Sequence, residues 1–395
     1  MNTVNTSDLE QGQIYSAAVY SEGTNLLVPA LVPLRQKDID LLNTWGIKTV
    51  TTEGTVIGVG ADEDLAIGEE IEEEEFQPVR RGPVKFSISD VQQNSAPYRA
   101  YKSLIEKLSG VFTSLKSGVD IEMRVIDNIC VQLLQDLRDH TNSFIDYILG
   151  GEVIGHELAK SSVNAAILSA LMAQELHLPN HKIHNIVAGA LLHDLGTLRL
   201  SKGITEKKGG LSDAELEQIK SHPMHTSKII TKELFGPHDV NLIALQHHER
   251  WDGKGYPDHI LGPAIDIGAR IVSVADAFEA MVSKKSYRNP MIGYNAVKNL
   301  LADNARRFDP AVIAAFTKIM GIYPIGSIVR LNDESIARVI NVRSDAPVRP
   351  VIQMVVDKKG KVFKPGEGET IDLLVDKKLF IKNAIDPVEF NSTDE

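Results

Sequence analysis

The stretch Lys182–Leu195 reads KIHNIVAGALLHDL, an apolar helical segment that ends in a histidine, an aspartate and a leucine. Apolar residues also recur upstream at Leu104, Leu108, Val111 and Leu115, a spacing that indicates an amphipathic helix. Further helical patterns, separated by short polar loops, cover Ser161–Glu175, Asp213–His222, Val240–His248, Ile267–Met281 and Ala296–Arg307. The sequence therefore predicts a mainly α protein whose centre is a helical bundle at residues 98–320.

The segments on either side of this bundle have a different composition. Residues 1–60 alternate short apolar runs with turn residues, which predicts a small strand-rich N-terminal module, α/β or β, with one helix near residues 37–45,. Residues 61–97 hold dense acidic runs with few apolar residues and are interpreted as a solvated linker,. Residues 321–395 contain β-branched runs between turns, which predict a small C-terminal β module and a polar tail,.

The composition limits the classes of function. A formal net charge of −11 argues against a broad nucleic-acid surface, so no DNA partner is expected,. The apolar runs are too short to cross a bilayer, and the first residues lack the charged and apolar segments of a secretory signal. The single cysteine, Cys130, fits a reducing compartment,. We therefore expect a cytoplasmic protein without a membrane segment.

Side chains that bind metals occur in separate segments of the predicted bundle. Asp194 follows an apolar run and Asp276 interrupts another, where an ionised carboxylate is costly unless it is paired or metal-bound,. Imidazole nitrogens and carboxylate oxygens suit divalent transition metals, and an aspartate can bridge two ions about 3.5–4 Å apart. A helix cap or an ion pair remains the alternative for each aspartate. The candidate set is His193, Asp194, His222, His247, His248 and Asp276.

The segment His247–Pro257 reads HHERWDGKGYP and favours the metal site over these alternatives. Together with His193-Asp194-Leu195-Gly196, it resembles the HD-GYP phosphodiesterases, a branch of the HD-domain phosphohydrolases. The similarity extends over roughly residues 150–320 and includes Val274-Ala275-Asp276 and Phe308-Asp309-Pro310. It implies an all-helical domain with two or three iron or manganese ions. It also implies hydrolysis of the bacterial messenger cyclic di-GMP to pGpG, and often onward to GMP.

The resemblance also implies a role for each matching residue. The six candidates above take the ligand positions, with Asp194 as the bridging carboxylate and with Asp194 and His193 as the catalytic pair. Glu157 matches an acidic ligand of relatives that hold a third metal. The residues that match substrate contacts are Lys285, Arg288, Tyr256, Pro257 and Arg270. As a hypothesis, the metals lower the pKa of a bridging water, and the resulting hydroxide attacks phosphorus in line.

The chain departs from the family pattern at two positions. Ser161 stands where the family has its first metal-binding histidine, and Thr197 stands where it has a phosphate-facing lysine. Glu157 lies four residues before Ser161, so both share a helix face and Glu157 could complete the first site. The departures leave a second function open, a degenerate domain that binds cyclic di-GMP or a partner protein without turnover. A nucleotide phosphohydrolase of the wider superfamily is a third.

The amphipathic helices at residues 98–149 have two interpretations. Their apolar stripes need a covering surface, which a second copy of the chain could supply as a homodimer. The same stripes could pack within one chain, and periodicity alone does not distinguish the two.

Overall fold

The structure, a computed structural model, describes residues 2–17, 19–21, 25–28, 34, 36–44, 47–59, 95–150, 155–205, 207, 212–283, 291–304, 306–343, 345–364 and 366–385. The chain divides into two compact units: the first consists of Met1–Ile88 with Met320–Glu395, and the second consists of Ser89–Ile319. The predicted fold class, mainly α with small β modules toward both ends, is confirmed. The domain boundaries drawn from the sequence stay a prediction. None of the described helices is long and apolar enough to span a membrane.

The N-terminal part of the first unit contains short strands and one helix. The strands are β1 (Asn2–Asn5), β2 (Gln13–Tyr15), β3 (Val19–Ser21), β4 (Asn25–Val28), β5 (Thr49–Thr52) and β6 (Val56–Val59), and the helix α1 spans Gln36–Thr44. Four of the strands form an antiparallel sheet in the order β1-β5-β3-β4, and β2 pairs with β6. Apolar residues of both sheets and of α1 form a common core that includes Tyr15, Val19, Leu42 and Val50.

The C-terminal part of this unit is a five-stranded antiparallel sheet in the order β10-β9-β8-β7-β11. Its strands are β7 (Ile328–Leu331), β8 (Ile336–Asn341), β9 (Val351–Val356), β10 (Thr370–Asp372) and β11 (Ile381–Ile385). Alternate residues of β9 are buried, as expected for a strand with one face on a core. Ile328, Ile336, Val356 and Ile385 form that core.

The second unit is helical. Its helices are α2 (Ala96–Lys116), α3 (Met123–Gly150), α4 (Glu157–Glu175), α5 (Asn180–Leu192), α6 (Lys202–Thr205), α7 (Asp213–Lys220), α8 (His222–Lys232), α9 (His238–Gln246), α10 (Ile267–Val282), α11 (Gly293–Ala302) and α12 (Pro310–Met320). The central helix is α4, whose residues from Ser162 to Ala173 are all buried. Many of these residues are alanine or serine, so α5 and α10 both pack closely against α4.

The apolar stripes of α2 and α3 are covered within the chain. Leu104 and Leu108 of α2 and Ile126 and Leu133 of α3 are fully buried, and the two helices pack against each other. Burial in the single chain therefore accounts for the stripes. A homodimer through residues 98–149, one of the two interpretations of these stripes, is not needed to explain them.

Candidate metal centre

Five of the six candidate ligands lie where helices of the second unit begin or end. His193 and Asp194 follow the last residue of α5, and His222 is the first residue of α8. His247 and His248 follow α9, and Asp276 lies within α10. Side chains at helix ends project past the last turn, so three helices can direct them toward one point while their apolar faces stay in the core.

These side chains form two clusters that share Asp194. One consists of His193, Asp194 and Asp276, and the other consists of Asp194, His222, His247 and His248. Within each cluster, the potential ligand atoms lie within 4.8 Å of one another. The Oδ1 atom of Asp194 lies 3.1 Å from His222 Nε2, whereas its Oδ2 atom lies 3.6 Å from His193 Nε2. The two carboxylate oxygens therefore face different clusters, as a bridging ligand requires.

Three of the histidines have the same tautomer. The Nδ1 atoms of His193, His222 and His247 lie 2.7, 2.7 and 2.8 Å from the carbonyl oxygens of the residues three positions earlier. A carbonyl only accepts hydrogen bonds, so each Nδ1 carries a proton, and in the neutral form that binds metals the lone pair of each Nε2 points into the cluster. Such backbone contacts also fix ring orientation in metal sites.

The donor atoms fit a divalent metal better than they fit a metal-free core. The Nε2 atom of His193 is buried and has no hydrogen-bond partner among the described residues, a costly arrangement without a ligand. The Nε2 atoms of His222 and His247 are only 3.3 Å apart, so their two lone pairs would repel unless a metal ion lies close to both or one of the rings is protonated. Asp194 caps no helix through its side chain, which removes the cap as an alternative. The donor set is nitrogen and oxygen, which divalent transition metals prefer.

Charges within the clusters shift the pKa values of the ligands. Burial raises the pKa of Asp194, but the neighbouring histidines outweigh it and hold this pKa well below its usual range. Burial and the charge of His248 lower the pKa of His247, and burial and His222 lower the pKa of His248 to about 3. Deprotonated His247 and His248 and an ionised Asp194 are the forms that bind metals.

His193 has the opposite shift, which gives the metal-free protein a distinctive pH dependence. Burial alone would lower its pKa, but the charges of Asp194 and Asp276 raise it from 6.5 to about 9. The resulting stabilisation is fully present below pH 6.5 and is lost as the pH rises through 9. We expect the metal-free chain to lose about 3 kcal/mol of unfolding free energy over this interval.

Urea unfolding of the chelator-treated protein at pH 6.5 and pH 9 measures this loss. The H193Q variant should lack the decline because it has no titrating group at this position. Equal pH dependence in the two proteins would show that His193 is not held as a cation between the two carboxylates.

The loop after α9 closes over one side of the clusters. The ring of Tyr256 stacks on His248 with centroids 4.8 Å apart and planes 30° apart. Glu249, which is buried, holds the loop because its carboxylate accepts hydrogen bonds from the backbone N–H groups of Asp258 at 2.7 Å and Ile260 at 3.0 Å. Tyr256 and the adjacent Pro257 therefore lie at the border of the metal centre. Sequence reasoning did not assign Glu249 this role, although it lies within the motif.

The structure does not bring Glu157 into either cluster. Glu157 is exposed in the first turn of α4, and the described ligand groups do not include it. The hydroxyl of Ser161 instead donates a hydrogen bond to Oε1 of Glu279 at 3.0 Å. The same oxygen accepts a hydrogen bond from the side-chain amide of Asn164 at 3.3 Å.

Glu279 was missed by the sequence analysis. It is almost fully buried on α10 and follows Asp276 by three residues, so both lie on the same helix face. This spacing of two carboxylates within an apolar helix is the feature of the sequence that could have identified Glu279. Glu279 rather than Glu157 thus borders the edge of the site next to Ser161. A metal-ligand role for Glu157 stays a prediction that these contacts do not support.

The structure describes some of the predicted substrate contacts and not others. Lys285 and Arg288 lie outside the described residues. Arg270 forms an ion pair with Asp309 at 2.6 Å and donates from Nε to the carbonyl of Ile265 at 3.0 Å. These contacts give Arg270 a structural role that joins α10 to the start of α12, so its assignment to the substrate stays a prediction without support from the geometry.

Comparisons with known proteins show which proteins this chain is similar to. Residues 153–312 match the model of the HD domain, and residues 328–393 match that of a KOW domain associated with the HD domain. A cyclic di-GMP phosphodiesterase of Borreliella burgdorferi is 25% identical over 92% of this chain and 90% of the relative. One of Pseudomonas aeruginosa is 25% identical over 86% of this chain and 80% of the relative.

A cyclic di-GMP phosphodiesterase response regulator of Xanthomonas campestris is 36% identical, over 38% of this chain and 40% of the relative. The helical region that carries the paired clusters coincides with the part of the chain that matches the HD domain. The match to the HD domain and the names of these relatives bear out the resemblance to the HD-GYP phosphodiesterases that the His247–Pro257 motif indicated.

Proposed function

We propose that this chain is a metal-dependent phosphodiesterase that hydrolyses cyclic di-GMP to pGpG, with GMP as a further product. The observation that carries the proposal is Asp194, which directs one oxygen to each of two nitrogen- and oxygen-rich clusters. This is the donor arrangement of two-metal phosphoesterases. The names of the relatives supply the substrate, and the single cysteine, Cys130, favours the cytoplasm as the compartment,.

The metals would supply an activated water and positive charge for the phosphate oxygens. His193, Asp194 and Asp276 would hold one ion, and Asp194, His222, His247 and His248 would hold the other. Iron, or alternatively manganese, is the proposed metal because the resemblance to the HD-GYP phosphodiesterases implies it, and a mixture of imidazole and carboxylate ligands suits both ions. Two ions are proposed rather than three, since Glu157 lies outside both clusters.

The protein contributes orientation to the reaction. The backbone carbonyls bound to Nδ1 keep His193, His222 and His247 in one tautomer. Tyr256, whose ring stacks on His248, borders the metal centre on that side. A preorganised site of this kind avoids reorganisation when charge develops on the phosphate.

A sensor without turnover is the second candidate function. It is favoured by Ser161, which stands where the family has its first metal-binding histidine. The Ser161 hydroxyl donates a hydrogen bond to Glu279 and supplies no imidazole ligand. Such a protein would bind cyclic di-GMP through the same surface and leave it intact.

Product analysis separates the two functions. Purified protein reconstituted with Fe(II) or Mn(II) is incubated with cyclic di-GMP, and the nucleotides are separated by chromatography. We expect pGpG to appear, and we expect a chelator to reduce turnover by more than about 100-fold because the reaction depends on the metals. Restoring the metal should restore activity. Intact cyclic di-GMP after incubation with fully metal-loaded protein would exclude the enzyme and favour the sensor.

A further inference from the structure

The segment between α11 and α12 is held against the motif loop. The backbone N–H of Trp251 donates to the carbonyl of Arg307 at 3.0 Å, and the N–H of Asp252 donates to the carbonyl of Arg306 at 2.9 Å. The carbonyl of Asp303 accepts hydrogen bonds from Arg306 and Arg307 at 3.2 and 2.9 Å, which closes this segment into a turn. Arg307 is therefore fixed next to the loop that carries Tyr256.

The side chain of Arg307 differs from those of the arginines around it. Arg250 and Arg270 are each paired with an aspartate, at 2.8 and 2.6 Å, and Arg306 reaches Asp303 at 3.2 Å. In the described part of the chain, no carboxylate lies within 4.0 Å of the Arg307 guanidinium, and none of its N–H groups has a hydrogen-bond acceptor. The side chain is half-buried, with its guanidinium carbon 5.0 Å from the centre of the Phe308 ring. Packing thus positions the guanidinium, and no described residue accepts a hydrogen bond from it.

The backbone places Arg307 beside one side of the metal centre. Trp251 and Asp252, whose N–H groups hold the segment of Arg307, belong to the same loop as Tyr256. The ring of Tyr256 stacks on His248, so Arg307 borders the side of the site that these two rings form.

We propose that Arg307 is a phosphate-binding residue whose guanidinium contacts a phosphate oxygen of the nucleotide on the His248–Tyr256 side of the metal centre. This inference rests on the proposed function, because it takes the ligand to be a phosphodiester. The planar fork of an arginine matches phosphate geometry, and charge-assisted hydrogen bonds to phosphate are strong. Packing against Phe308 holds the fork in place, so little conformational freedom is lost on binding. Thr197, at the position of a family lysine, donates its hydroxyl to the carbonyl of Asp194 at 2.7 Å and supplies no cation.

Substitutions at Arg307 separate a phosphate contact from a packing role. R307Q removes the charge, R307M keeps an apolar stem against Phe308 without charge, and R307K keeps a charge without the fork. R306Q is the matched control, because Arg306 is adjacent, exposed and paired with Asp303. Equilibrium binding of cyclic di-GMP is measured by calorimetry on chelator-treated protein, in which the metal-dependent reaction cannot proceed. KM and kcat are measured on manganese-loaded protein.

We expect R307Q and R307M to weaken binding of cyclic di-GMP at least tenfold and to raise KM to a similar extent. R307K should give intermediate values, and R306Q should stay within twofold of the unmodified chain. The loss should shrink as salt is raised, since a charge is involved. Wild-type affinity in R307M, or no binding of cyclic di-GMP by the unmodified chain in either metal state, would overturn the role of Arg307. If the unmodified chain binds cyclic di-GMP without turnover, the proposed hydrolysis is wrong. The affinities of the Arg307 variants for cyclic di-GMP then test the role of Arg307 without the kinetic data.

Discussion

The D194N variant should lose bound metal and at least about 1,000-fold in turnover of cyclic di-GMP. The side chain of Asp194 is the only one that belongs to both clusters in the described part of the chain. An amide offers one neutral oxygen in place of two charged ones, so it cannot bridge two cations as the carboxylate does. Removing one ligand elsewhere would weaken a single site, whereas this change weakens both.

Elemental analysis of purified D194N, together with chromatography of the nucleotides, measures both effects. D120N is a matched control, because Asp120 is an exposed aspartate of the same unit in the loop between α2 and α3. It should keep the metal content and the turnover of the unmodified chain. A D194N protein that retains its full metal complement would contradict the bridging role of Asp194.

The G196A variant should lose the metal centre through the backbone rather than through a ligand. A Cβ atom at Gly196 would lie 2.1 Å from the carbonyl oxygen of His222 and 2.6 Å from the backbone nitrogen of Thr226. Backbone atoms cannot move aside easily, so the turn after Asp194 must separate from α8. Thr226 normally joins the two, accepting a hydrogen bond from Gly196 N–H at 2.8 Å and donating to the carbonyl of His193 at 2.9 Å.

We expect G196A to lower the unfolding free energy by about 3 kcal/mol and to abolish metal binding, because His222 moves away from Asp194. G110A is the matched control, since a Cβ at Gly110 within α2 would meet no atom within 4 Å. That variant should be unchanged or more stable by up to about 1 kcal/mol. Chemical denaturation measures the unfolding free energy of G196A and G110A, and elemental analysis measures the metal content of both variants. Normal metal content in G196A would show that this close approach does not position the site.

The sequence predicted the parts of the site that depend on local patterns. His193 and Asp194 could be identified because they end an apolar helical run, and the His247–Pro257 motif is specific enough to indicate the family. The structure brings the six predicted metal ligands together in two clusters. The helical core and the flanking sheets also follow from periodicities of 3.6 and 2 residues, which the described elements reproduce.

The remaining features depend on contacts between distant segments, which one sequence does not specify. Glu157 and Ser161 share a helix face, but that face meets Glu279 of α10 rather than the metal clusters. Arg270 forms an ion pair with Asp309, which is 39 residues away in the chain. The position of Arg307 depends on backbone hydrogen bonds to the motif loop. Periodicity indicates which face of a helix is buried, but it does not identify the partner of a polar group on that face.

Crystals of the manganese-loaded protein, measured for anomalous scattering at the manganese absorption edge, test the central claim most directly. The account predicts two strong peaks on either side of the Asp194 carboxylate, one next to His193 and Asp276 and the other next to His222, His247 and His248. A single peak that does not contact Asp194, or no peak in these clusters, would contradict a two-metal centre bridged by this residue.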